Sequence, residues 1–265
     1  MKRLDAYRPE FLFLLAVVAI SMTGFWKVYF GNDADPNAYH HLHVVSNFFW
    51  LSLLVCQIYL VGSGNYKQHR KVGLLAMVAG PLLVASTALL SVHSAHKGIE
   101  SGKGDMLLVQ NVTVTLELAA LILLAFIFRR HRKLHGSFLL GTAILFLGIA
   151  LFFTLISFVP GFKVEGPGTF HRFQTSAMSS SIVCLVVGFL LFLRDVRNAW
   201  PLLVSGSLLI ANENIRVVLD SQGWTAPLTE FVGSLSQTLT FAVSLTVFAV
   251  LLVATGLPRG SQRLG

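Results

Sequence analysis

Eight long apolar stretches constrain this sequence more than any other feature. They cover approximately residues 11–30, 44–62, 72–92, 106–128, 136–158, 175–193, 201–219 and 231–253. Each is close to the roughly 20 residues that an α-helix needs to cross a bilayer core. A lone strand in lipid would leave its backbone N–H and C=O groups without partners, so helices are expected throughout. The connectors are short, so residues 1–265 read as a single integral membrane domain. The expected architecture is an all-α membrane protein with eight transmembrane helices, both termini cytoplasmic, and a four-helix core from spans 2–5.

Charge supports the same reading. Only 12% of residues are charged, against about 25% in soluble domains, too few to cover a water-facing surface. A soluble enzyme, a secreted disulfide scaffold and a disordered chain are thereby excluded. The net charge of +8 would suit nucleic acid, but the basic residues stand between apolar blocks. The expected partner is the lipid bilayer, with no nucleic acid. If the connectors alternate in side, one side receives Lys2, Arg3, Arg8, Lys67, Arg70, Lys71, Arg129, Arg130, Arg132, Lys133, Arg194, Arg197, Arg259 and Arg263. The other receives Lys27, Lys97, Lys103, Lys163, Arg172 and Arg216. The positive-inside rule makes the richer side cytoplasmic, and the bacterial inner membrane is the expected location. The first apolar run reaches Phe30 without a small-residue cleavage site and reads as a span.

Trp26, Trp200 and Trp224 fall near span ends, where amphipathic rings favour the headgroup layer, whereas Trp50 lies well inside the second span. Cys56 and Cys184 lie deep in apolar blocks and read as small bundle residues. A weak internal repeat relates residues 66–92 to 129–158, each joining a basic, histidine-containing turn to an outward-running helix.

Nine histidines carry most of the chemical information. His40, His41, His43, His93, His96 and His171 are expected on the outer side; His69, His131 and His135 are expected on the cytoplasmic side. His40 and His43 are three apart at the start of one span, and His93 and His96 are three apart at the end of the next. Residues at i and i+3 share a helix face, and a short loop makes the two helices antiparallel neighbours. Four imidazoles could then converge on a metal such as copper or iron, with His171 as a fifth. The alternative is solvated histidines at a headgroup interface. On the inner side, His69 and His131 open parallel helices at equal depth and could flank a haem b; anionic lipid would equally explain that basic patch.

Two carboxylates lie at membrane depth. Glu117 is at mid-span and is expensive there unless paired or protonated, which makes it a proton-relay or catalytic candidate. Glu213 can pair with Arg216 three residues on, or stand behind the histidine cluster. Ser176, Ser179 and Ser180 make one face of the sixth span small, as tight packing requires. No phosphate-binding glycine loop, nucleophile elbow, zinc-protease motif or Cys-x-x-Cys pair is present.

His41-Leu42-His43, then Trp50, Leu53, Leu54 and Gln57, then His69-Arg70-Lys71-Val72-Gly73, and later His131-Arg132-Lys133-Leu134 resemble a family of bacterial multi-pass membrane proteins of uncharacterised function. The resemblance spans about residues 39–158 and implies a membrane protein; His93 and His96 lie outside its pattern. Leu134-His135-Gly136, Val159-Pro160-Gly161 and His171 are similar to the layout of ascorbate-linked transmembrane b-type cytochromes. That similarity implies a helical bundle holding haem between histidines, although the chain lacks outer and inner histidines on each of four helices. The leading expectation is an inner-membrane redox protein with haem b or a transition metal. His43, His93, His171, His69 and His131 would hold the cofactor, His40, His41 and His96 would be further metal ligands, and a quinone or redox protein would exchange electrons. The alternatives are a proton- or ion-coupled transporter of a small solute or metal using Glu117 and Glu213, and a structural subunit of a respiratory complex.

Overall fold

The computed structural model describes residues 6–100, 102 and 104–256, so Lys2, Arg3, Lys103, Arg259 and Arg263 lie outside the described residues. Helix is the only regular structure among them. The helices are α1 (Arg8–Gly24), α2 (Ala38–Gly62), α3 (Tyr66–Gly73), α4 (Ala76–Glu100), α5 (Leu108–Ile127), α6 (Arg132–Phe158), α7 (His171–Leu193), α8 (Trp200–Ser221), α9 (Thr225–Gly233) and α10 (Gln237–Gly256). Seven are long and apolar enough to cross a membrane: α2, α4, α5, α6, α7 with the turn before it, α8 and α10. The chain is therefore a multi-pass helical membrane protein by length and composition. Helix α1 has 17 residues and gives way to one π-helical turn, Trp26–Phe30.

Local chemistry accounts for the boundaries. Pro9 sits in the first turn of α1, where its missing N–H costs nothing. Asn37 caps α2, its side-chain oxygen accepting from the N–H groups of Tyr39 (3.0 Å) and His40 (3.2 Å). Asn65 caps α3 in the same way through Gln68 N–H. Gly102 and Gly104 adopt φ of 66° and 72° in the turn after α4, a left-handed conformation that glycine adopts without a Cβ penalty.

Two helices organise the bundle. Helix α6 packs against α1, α5, α7 and α8, while α4 packs against α2, α5, α9 and α10, with α5 shared between the halves. The repeated segments of the sequence thus lead into the two most buried spanning helices, α4 and α6. Trp50 lies between the halves at 0% exposure, its indole Nε1 donating to Thr142 Oγ1 on α6 at 2.9 Å. Trp26, Trp200 and Trp224 are exposed at helix ends. Helices α7 and α8 cross closely, because a Cβ at Gly206 would stand 2.6 Å from the Cys184 carbonyl oxygen. Cys184 is buried and Cys56 half-buried, and both are free thiols.

Three boundaries differ from the sequence reading. The third apolar stretch is two helices, because α3 stops at Gly73 and α4 begins at Ala76. Its C-terminal end continues past Val92 to Glu100, and α9 packs on α4. The eighth stretch breaks after Gly233, and α10 begins at Gln237.

Candidate functional site

The histidines expected on the outer side disperse among different partners. His93 Nε2 accepts from the Asn37 side-chain amide at 2.9 Å, and its ring meets Tyr39 and His40 at centroid distances of 4.9 and 5.6 Å. His40 Nδ1 in turn accepts from the Asn37 backbone N–H at 3.3 Å, so His40 takes the place that Glu or Gln holds in a capping box. One asparagine therefore ties the start of α2 to the end of α4 through both imidazoles. His40 and His93 are the pair that the structure brings together.

The remaining histidines of that group go elsewhere. His41 Nδ1 hydrogen-bonds the Tyr29 hydroxyl at 2.8 Å. His96 Nε2 reaches the Gly233 carbonyl, and its Nδ1 meets the Gln237 side-chain amide at 2.8 Å. His96 thus satisfies a carbonyl left open where α9 ends and bridges the break in the eighth apolar stretch. His43 turns inward, its Nδ1 buried without a hydrogen-bond partner, as is Asn47 Oδ1 one turn on. His171 is exposed at the start of α7, which packs on α6 and α8 and shares no substantial face with α2 or α4. Four imidazoles do not converge, and no group of three or more His, Cys, Asp or Glu side chains suited to a metal ion occurs among the described residues.

Among the histidines expected on the cytoplasmic side, the partner of His69 is Gln57. With its amide oriented by the hydrogen-bond network, Gln57 accepts from Gly73 N–H at 2.9 Å, donates to the His69 carbonyl at 3.2 Å, and faces His69 Nδ1. One buried glutamine of α2 thereby clamps both ends of the His69-to-Gly73 turn. Burial lowers the His69 imidazole below its ordinary range, and repulsion from His135 and Arg70 adds to the effect. His135 is therefore the histidine that His69 approaches; its own Nδ1 hydrogen-bonds the Ala125 carbonyl at 2.7 Å. His131 lies at the start of α6 against the Phe128 ring.

The densest polar chemistry lies between α5 and α8. Glu213 is 1% exposed and Arg216 7%. Arg216 Nη2 and Nε donate to Glu213 Oε1 (2.6 Å) and Oε2 (3.0 Å), and Gln110 donates to Oε2 at 2.8 Å. Both oxygens of Glu213 are thus fully engaged. Glu117 differs: Asn212 donates to Oε1 at 2.9 Å, while Oε2 is buried without a partner. Mid-span depth marked Glu117 and the three-residue spacing to Arg216 marked Glu213, but the roles of Gln110 and Asn212 depend on the α5–α8 contact. Nearby, in the connector before α5, burial pushes the Asp105 carboxyl above its usual range against the opposing Leu107 N–H and Ser94 hydroxyl.

No protein-family model, curated protein or solved structure matches this chain.

Proposed function

We propose that this protein carries a proton or small cation across the bacterial inner membrane, through eight spans with both termini in the cytoplasm. The observation that carries this reading is Glu117: the tenth residue of the 20-residue α5, with one oxygen held by Asn212 and the other buried and free of partners. A carboxyl at membrane depth with one uncommitted oxygen can take up and release a proton or meet a cation there. Glu213 cannot do this while Arg216 and Gln110 hold both its oxygens; it fixes α8 against α5 so that Asn212 reaches Glu117. In the eight-span arrangement, α1 and its π-helical turn form the first span, and the fourteen-to-six division of basic residues sets the orientation.

Proteoliposomes with an internal pH-sensitive dye and an imposed potassium diffusion potential test this. Wild-type vesicles should acidify, and Glu117→Gln, which keeps the volume and the Asn212 contact, should lower the rate at least about tenfold. Equal flux in wild type, variant and empty vesicles would overturn the reading.

A second reading, a redox protein with haem b or a transition metal, is favoured by the meeting of His40 and His93. In this reading the imidazole nitrogens that Asn37 leaves uncommitted would face the metal, with the buried His43 as a further donor on α2 and a quinone or redox protein as electron partner. A reduced-minus-oxidised spectrum of the purified protein, followed by elemental analysis, tests it; a b-type α band or stoichiometric copper or iron would select it.

A further inference from the structure

A cavity of about 600 Å³, outside both sites above, opens between the end of α1, the end of α6 and the start of α7. Lys27, Lys163, Arg172 and Glu165 line it, together with Phe158 and Pro160. Three of the six basic residues assigned to the less basic side of the chain thus converge on one hollow. Orientation signals do not explain this, because the positive-inside rule disfavours basic residues on that side. The hollow is more open than enclosed.

The cations are not equivalent. Lys163 Nζ is 2.6 Å from Glu165 Oε1, so that charge is neutralised locally. Arg172 Nη1 donates to the carbonyls of Pro160 (3.3 Å) and Lys163 (3.0 Å), which fixes its guanidinium at the mouth of the 158–167 connector. Its Nε and Nη2 make no hydrogen bond among the described residues. Lys27 Nζ stands 5.5 Å from the Phe158 ring centroid and has no hydrogen-bond acceptor among the described residues. The Glu165 carboxyl is held below its usual range first by Lys163, then by Arg172 and Lys27, so all three charges act at one place. A fixed guanidinium fork and an ammonium lining the same hollow suit a tetrahedral oxyanion, of which the fork can engage two oxygens and the ammonium a third.

We propose that this cavity binds a phosphate-bearing group through Arg172 and Lys27. The inference stands apart from ion passage and rests only on the shared location of these residues. The group belongs either to a soluble phosphate compound or to the headgroup of an anionic lipid, and one experiment separates the two.

Full-length protein, delipidated in an uncharged detergent at 150 mM salt, is titrated with inorganic phosphate using Trp26 fluorescence. In parallel, lipid retention is measured by native mass spectrometry after mixing with phosphatidylglycerol or phosphatidylcholine. Saturable phosphate binding weakened about tenfold or more in both Lys27→Gln and Arg172→Gln supports the proposal and selects a soluble ligand. Retention of phosphatidylglycerol over phosphatidylcholine, lost in both variants and without phosphate binding, supports it and selects a lipid headgroup. No binding in either arm, or binding unchanged in the variants, overturns it. Lys27→Gln removes the Phe158 ring contact and a longer-range charge effect on Glu165 but leaves the Arg172 hydrogen bonds in place, so it keeps the test decisive if Arg172→Gln loosens the 158–167 connector; unchanged melting temperatures control for folding.

Discussion

Replacing Arg216 with methionine probes the α5–α8 contact most directly. Methionine keeps the length and apolar stem of arginine but removes its donors. Glu213 Oε1 then has no partner, and Oε2 keeps only Gln110. Two charge-assisted hydrogen bonds at about 1.5–3 kcal/mol each put the loss at about 3–6 kcal/mol. That overlaps the roughly 3–5 kcal/mol expected when one partner of a buried ion pair is deleted. A loss of about 3 kcal/mol corresponds to roughly a hundredfold change in the folded-to-unfolded ratio. The combined Glu213→Leu/Arg216→Met variant removes both charges and should recover most of the loss, because the desolvation cost of an unpaired carboxylate disappears with it. Reversible unfolding in mixed micelles, completed as a double-mutant cycle, measures each value. If Arg216→Met unfolds within about 0.5 kcal/mol of wild type, water reaches the pair, and the buried α5–α8 contact that orients Asn212 toward Glu117 is refuted.

Further outcomes follow from other contacts. Gln57→Leu should release the His69-to-Gly73 turn and speed tryptic cleavage at Arg70 and Lys71 several-fold, with other sites unchanged. The same clamp should weaken in mild acid: His69 has a folded pKa below its ordinary 6.5, so its contribution is complete above 6.5 and is lost as pH falls through the lowered value, read as faster hydrogen exchange in α3. Gly206→Ala should destabilise the protein by about 1–3 kcal/mol, since the added methyl meets backbone of α7. Gly136→Ala, with open space around it, should be neutral or stabilising by about 0.5–1 kcal/mol, and paired thermal melts distinguish the two.

Reading the candidate site from sequence succeeded where helical geometry alone decides and failed where a neighbouring helix decides. His93 and His96 share a face by their spacing, yet one turns to Asn37 and the other to Gly233 and Gln237, because α2 and α9 flank α4 on different sides. The pairing of Glu213 with Arg216 was legible because both lie on one helix. Gln57 stood out in the motif, but its purpose, holding the turn that contains His69 and Gly73, needed the fold of α3 back against α2.

What the sequence determined by itself was solvent and secondary structure: long apolar runs in a chain with 12% charge can only be helices in lipid. Four of the expected segments, 106–128, 136–158, 175–193 and 201–219, match α5 to α8 to within about one turn. The tertiary structure decided which polar groups meet. In lipid, apolar surface gives helices little reason to prefer one neighbour, so partner choice rests on close approach at glycines such as Gly206 and on scattered polar contacts such as Trp50 with Thr142. Those contacts join residues far apart in the chain, and no periodicity along one helix encodes them.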